Sequence, residues 1–137
     1  LTDADLTRAN LTDANLTRAN LTDANLKDAN LTDAYMPGAN LTDADLFDSN
    51  MGRVTLSDAN LTGANLTDAA LNAADLNGAN LTGANLTDAI LTDANLKDAN
   101  LTDADLTRAN LTDAKGWDSV KGKNTIGGLD KATGVPD

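Results

Sequence analysis

The sequence predicts an all-β solenoid, a chain wound into coils of short extended segments around a leucine and alanine lining. Three observations carry that prediction. An aliphatic centre recurs at every fifth residue from Leu1 to Leu111, as 21 Leu plus Met36 and Met51. A small residue stands two places before the centre, from Ala4 to Ala114, with Ser49 and Val54 as the exceptions. One Trp, one Tyr and one Phe in 137 residues cannot build an ordinary mixed core, so the strict aliphatic columns must be the core of a repeat fold.

A helix cannot use this period. Steps of five at about 100° per residue turn each Leu roughly 140° from the last, which leaves no buried stripe. A short extended segment can use it, because Ala and the Leu two residues on point to the same side of a strand. From that Leu to the next Ala is three residues, which breaks the alternation, so the chain must turn between them. The turn falls at Thr-Asp, Thr-Arg or Thr-Gly, with Gly38, Gly63, Gly78 and Gly83 in its second slot; these are suitable turn residues. Stacked coils would then pair their backbones at about 4.8 Å. Large Leu alternating with small Ala suits a narrow, dry interior. Leu21, Met36, Leu41, Met51, Leu61 and Leu81 exemplify the expected core centres. Handedness and the number of sides per coil do not follow from the period.

The periodicity fails after Ala114, where Gly116 takes a centre position. The chain therefore divides into repeats over 1–115 and a Gly- and Lys-rich segment over 116–137. Trp117, Val120, Ile126 and Leu129 are positioned to cover the end of the last coil, since a bare terminal coil exposes both core and strand edges. Short helical turns are expected at 117–121 and 126–132. At the other end the chain opens mid-repeat at Leu1, without Met, as a processed or trimmed chain would. No cap is visible there, so either residues are missing or that end stacks on another molecule, which would make end-to-end self-association through the N-terminal coil possible.

Charge narrows the partners. The net charge is −11 and every acidic residue is Asp. Residues 1–115 hold 18 Asp against 7 Lys and Arg, so the whole excess lies on the repeats. Nucleic acid and anionic membranes are disfavoured, because phosphate binding needs clustered Lys and Arg. No apolar run approaches the roughly 20 residues of a spanning helix, and no signal peptide precedes the repeats. There is no Cys and no His. Ser49, Ser57 and Ser119 thus lack a base to activate them, and a filled rod has no apolar pocket to raise a carboxyl pKa. No phosphate-binding Gly motif occurs. Neither catalysis nor a cofactor or metal is expected; the predicted partner is another protein, of unknown identity.

The recurring A-(N/D)-L-x-x unit, as in "ANLTD", "ANLTR", "ADLTR" and "ANLKD", resembles the pentapeptide repeat family across residues 1–115. The resemblance implies a right-handed, four-sided β-helix of twenty residues per coil, nearly six coils long. It also implies a cyanobacterial kind of origin. Some members of that family are thought to imitate duplex DNA and occupy DNA gyrase. An acidic DNA mimic is therefore the alternative to a protein-interaction or structural module, although this chain has Leu rather than Phe centres and no loop insertion.

With twenty residues per coil, outward positions stack. Asn20, Asn40, Asn60, Asn80 and Asn100 form a column in which amides are expected to bond along the stack, with a water-ordering face for ice or mineral as the functional alternative. Asp28, Asp48, Asp68 and Asp88 form a solubilising column, or alternatively a charged docking or Ca²⁺ surface. Residues 34–56 depart furthest from the consensus. Tyr35 and Phe47 fall at outward slots, and Arg53 stacks on Asp33 as an expected ion pair. The plain reading is a locally repacked coil; the functional one is an interaction patch of Tyr35, Phe47 and Arg53. Eleven Asn-Leu-Thr triplets are glycosylation acceptor sequences and make eukaryotic secretion an unsuitable route. The periplasm or thylakoid lumen is the expected compartment, with the cytoplasm as the alternative.

Overall fold

A computed structural model describes residues 1–137 as a right-handed, four-sided β-helix. Parallel pairings join residues twenty apart, from Asp5 with Asn25 through Asn95 with Lys115. Four pentapeptides therefore make one coil. Within each coil the walls centre on positions 5, 10, 15 and 20. The corners lie at positions 2–3, 7–8, 12–13 and 17–18.

The interior is the two columns read from the sequence. Leu21, Met36, Leu41, Met51, Leu61 and Leu81 are fully buried. One continuous cluster of 39 buried residues runs from Leu21 to Val120. Each fully buried Leu contributes about 1.5–3 kcal/mol relative to an exposed one. Ser49 replaces Ala in this lining, and its hydroxyl has no hydrogen-bond partner.

The backbone of one repeat, Ala39 to Asp43, shows how five residues suffice. The Ala39 N–H donates to the Met36 carbonyl at 3.1 Å, closing the preceding corner. Asn40 N–H donates to Ala19 in the coil before, and Leu41 N–H to Asn60 in the coil after. Asp43 N–H donates to the Thr62 carbonyl at 2.9 Å. The remaining N–H, that of Thr42, goes to its neighbour's side chain, the Asn40 Oδ1, at 3.1 Å. All five donors are satisfied.

The corner geometry follows. The second corner residue has positive φ in every coil, whether Asp (Asp43, φ 55), Arg (Arg53, φ 56) or Ala (Ala73, φ 54). With the Leu-to-Ala hydrogen bond this is the pattern of a type II turn. Such a turn sets its central peptide across the plane of the coil, so the inter-coil ladder continues round the corner. An L-residue there costs roughly 1–2 kcal/mol, offset by the ladder bond.

The Asn column behaves differently from the amide stack expected. Asn Oδ1 is occupied locally, accepting from the Thr N–H and Thr Oγ1 two residues on, as with Asn60 and Thr62 at 3.2 and 2.6 Å. Bonds between coils run mainly to threonine of the coil before: Asn60, Asn80 and Asn100 donate from Nδ2 to Thr42, Thr62 and Thr82 at 2.9–3.0 Å. The one amide-to-amide contact, Asn80 to Asn60, is long at 3.5 Å. An oxygen acceptor is the essential feature of the slot, which is why Asp105 serves equally, accepting from the Thr107 N–H at 2.9 Å. We expect Asn60→Ala to lower the unfolding free energy by about 1–2 kcal/mol, because it strands a backbone donor. Asn60→Asp should cost markedly less; equal losses in denaturant titrations of the two variants would contradict this role.

Beyond Ala114 the ladder continues with longer sides. Lys121, Gly127 and Thr133 pair with Asn100, Asp105 and Asn110, so each side gains one residue and the rung runs in sixes. Gly116, Gly122, Gly128 and Gly134 recur at that spacing with φ of 63 to 79. The helical turns are shorter than expected, single 3₁₀ turns at Trp117–Ser119 and Leu129–Lys131. Six-residue sides leave room for one tight turn per corner and no more. The Ser119 and Thr125 hydroxyls accept from the Asp98 and Asp103 N–H groups at 2.8 and 2.9 Å, standing in for the corner carbonyls of a regular coil. Trp117 and Val120 are buried, while Ile126 and Leu129 are half-buried against the core. The Lys123 ammonium lies 5.6 Å from the Trp117 ring centre, within cation–π range.

Candidate interaction surface

A solid rod acts through its outside, so the exposed apolar side chains define the first candidate. They are Tyr35 at 51% exposure, Phe47 at 37% and Ile90 at 39%, besides Leu1 at the rod's end. Tyr35 occupies the middle of the position-15 wall, where its neighbours in the stack are Asn15 and Thr55. Arg53 stands at the corner beginning that wall, one coil further on. Phe47 sits on the position-7 corner, at the far side of the position-10 wall from Arg53. The twenty-residue register thus places Tyr35 beside Arg53 and puts Phe47 one wall away.

That intervening wall holds what the sequence reading missed. Its outward column is Asn10, Asn30, Asn50, Ala70, Ile90 and Asn110. Ala70 and Ile90 are its two breaks from Asn. Phe47, Ala70 and Ile90 follow one another up three successive coils, making a narrow apolar strip. The signal was present in "ANLTDAILTD", where Ile fills an Asn slot.

An acidic ridge borders the strip. Asp28, Asp48, Asp68 and Asp88 climb the position-8 corner, closed above by Arg108. Taken with the position-5 wall and the position-3 corner, this side of the rod carries 11 of the 18 repeat aspartates. Its only cations are Arg8, Lys27 and Arg108, giving −8 of the repeats' −11. Lys27 bonds Asp45 at 3.0 Å.

Arg53 chelates Asp33 across one coil, through Nε at 2.8 Å and the terminal nitrogen at 2.6 Å. Arg108 grips Asp88 in the same way. The arginines hold the Asp33 and Asp88 carboxyls below the usual carboxylate range. The Thr7 and Thr107 hydroxyls, helped by their N–H groups, do so for Asp5 and Asp105. Folded values below unfolded ones mean that these contributions are in place above about pH 3.9 and disappear as pH falls through the depressed values. In a carboxyl NMR titration these four aspartates should be among the last to protonate, and Asp33 should lose that distinction in Arg53→Gln. Asp5 is exposed and Asp33, Asp88 and Asp105 are only partly buried, so solvent screens these interactions and the effect on stability is small.

The Thr2-to-Thr102 column has little capacity to order water. The Thr62 hydroxyl donates to Asn60 and accepts from Asn80, so its bonding is largely internal. No three carboxylates form a group able to hold a metal ion. The concave feature is an open cleft of about 680 Å³ beside the chain's end, lined by Asp93, Asp113, Lys115 and Gly134 among others. No helix is long and apolar enough to cross a membrane.

Comparison with known proteins agrees with this architecture. A family model described as pentapeptide repeats matches eight copies, over residues 1–38, 24–63, 39–78 and 79–115. No curated protein matches the chain. Among solved structures it is similar to a pentapeptide repeat protein (Rfr23) from the cyanobacterium Cyanothece 51142. Identity is 30%, over 94% of this chain and 90% of that one, with a TM-score of 0.62. Full-length QnrB1, a plasmid-mediated fluoroquinolone resistance protein, shares the fold at 12% identity and a TM-score of 0.59, over 97% of this chain and 78% of its own. A pentapeptide repeat protein from the Arabidopsis thaliana thylakoid lumen is 31% identical over 82% of this chain and 68% of that one, with a TM-score of 0.41.

Proposed function

Because the chain belongs to the pentapeptide repeat family, we propose that it is a non-catalytic protein-interaction module. It engages its partner along the position-7 and position-8 corner and the adjoining position-10 wall. The observation that carries this reading is the apolar strip of Phe47, Ala70 and Ile90 beside the aspartate ridge. An apolar strip with a charged border is the composition of an interface core and rim, and this one fits a partner with basic residues around an apolar groove. Tyr35 and Arg53 extend the same surface round the next corner. A bacterial or plastid setting, periplasmic or lumenal with the cytoplasm as the alternative, belongs to the proposal; the eleven Asn-Leu-Thr triplets support it only by arguing against eukaryotic secretion.

The test restores the consensus rather than truncating the protein. Phe47→Thr with Ile90→Asn recreates residues already present at these slots, so the fold should survive. Partners captured from a bacterial or plastid extract by the parent chain should be lost from this double variant; unchanged capture would overturn the surface. The acidic side also favours a second reading, mimicry of duplex DNA toward an enzyme such as gyrase. Eleven net charges over a rod of roughly 28 Å approach the spacing of duplex phosphates, about one per 1.7 Å. A supercoiling assay decides it: no inhibition at micromolar protein removes the mimic.

A further inference from the structure

The position-10 wall loses its regularity in the coils of residues 61–80 and 81–100. Ala70 and Ile90 fill the outward slot that holds Asn10, Asn30, Asn50 and Asn110 in the other coils. At the corner that follows, Ala73 takes a slot filled by Asp or Arg in every other coil. Ala70 and Ala73 are both shorter than Asn50 and Arg53 one coil before, and than Ile90 and Asp93 one coil after. The two truncations leave a shallow seat on the wall. Ala73 is exposed there, Ala70 is half-buried, and the exposed Ile90 side chain lies along one edge.

The two rims of the seat differ in charge. On one side Asp28, Asp48 and Asp68 are exposed and have no ion-pair partner, so three free carboxylates climb the rod at about 4.8 Å per coil. On the other side Arg53 is closed on Asp33 and Ala73 carries no charge. The wall offers a partner no main-chain bonds. The Asn50, Ala70 and Ile90 N–H groups donate to Ala29, Ser49 and Ala69, and their carbonyls accept from Leu31, Met51 and Leu71. An added strand would therefore find no ladder to join.

We propose that this face receives a basic, amphipathic α-helix of the partner, lying along the rod. The inference rests on the surface proposed above and names the element that occupies it. A helix satisfies its own backbone, which suits a wall with no bonds to give. Its rise of about 1.5 Å per residue brings residues three or four apart to about 4.5–6 Å, and residues seven apart to about 10.5 Å. The three carboxylates stand about 4.8 and 9.6 Å apart, so one row of Lys or Arg meets them all. Same-side residues of an extended segment recur at about 6.8 Å and fall out of step within two coils. The adjoining helix row is apolar. Its largest side chain enters the seat over Ala70 and Ala73 against Ile90, and a residue one turn away packs on Phe47. A second copy of this chain is a poor occupant, because the side that carries −8 would face its own like charge.

The probe is a display library of random peptides of about 18 residues, long enough for a helix of about 27 Å. It is panned on the full chain and depleted on Ala70→Asn with Ala73→Asp. Asn and Asp already fill those columns in other coils, so circular dichroism of the variant should match the parent. Enriched peptides should carry apolar residues at i, i+3 or i+4, and i+7, with Lys or Arg in the adjoining row, and should become helical on binding. The Kd of the best peptide should rise about tenfold for the variant that fills the seat. It should rise about fivefold for Asp48→Asn with Asp68→Asn, and less than that at high salt; Asn tolerates the left-handed corner. No enrichment, peptides that are acidic or alternate with a period of two, or a Kd unchanged in either variant would overturn the proposal. If extract capture is lost in Phe47→Thr with Ile90→Asn while the peptides fail in one of these ways, the surface stands and its helical occupant does not. Unchanged capture removes the surface itself.

Discussion

Gly128→Ala should destabilise the last rung by about 3–4 kcal/mol, while Gly83→Ala should cost about 1–2 kcal/mol. Both glycines have positive φ, 65 and 66, so the cost of the left-handed conformation is common to the pair. Ala73 shows that a regular corner accepts a methyl there. The difference is what the methyl meets. At Gly83 there is nothing within 4 Å, whereas at Gly128 the new carbon would lie 2.5 Å from the Thr107 Cα and 2.6 Å from its N. Backbone cannot rotate away as a side chain can, so the rung must lift and the Thr133 and Gly127 ladder bonds weaken with it. Denaturant titration together with amide exchange at those residues reads both effects. Equal losses for the two substitutions would show that the close approach is not what fixes these glycines.

Leu66→Ala should cost about 3–4 kcal/mol, and Leu6→Ala about 1 kcal/mol. The substitutions are chemically identical and occupy the same column. Leu66 is fully buried between complete coils, so its removal leaves a cavity that flat walls cannot close. Leu6 is half-buried and has a coil on one side only, so less is lost and the end can relax. A gradient of this size along one column is expected where each coil touches only its neighbours. Equal costs from calorimetry would show that Leu6 is packed as completely as Leu66.

The parts of this fold that were legible from sequence are those that repeat without exception. Leu and Ala at fixed offsets disclosed the buried columns and the corner positions. The twenty-residue register, once the family resemblance supplied it, placed Arg53 on Asp33. Corner conformation was only half visible, since propensity assigns positive φ to Gly38 or Gly83 and gives no reason to expect it at Arg18 or Ala73. The ladder, not the residue, imposes it there. Asn was expected to bond along the stack because identical neighbours invite that geometry. Its closer partner is the N–H two residues on, which the Asn-Leu-Thr triplet already spelled out. Ile90 escaped notice because an isolated Ile beside Ala and Leu looks like core until its slot is counted. The glycines spaced by six were likewise hidden by the mixed composition around them.

Near-identical repeats make the phase of the winding ambiguous. A chain that slips by one pentapeptide during folding buries the same leucines and re-forms the same bonds, so many mis-wound structures have almost equal energy. The six-residue rung is where that ambiguity ends. Its glycines lie over the backbone of Lys97, Thr102, Thr107 and Thr112, and its six-residue sides cannot be exchanged for the five-residue sides below them. The irregular residues 116–137 therefore serve as the reference mark from which the uniform remainder is counted.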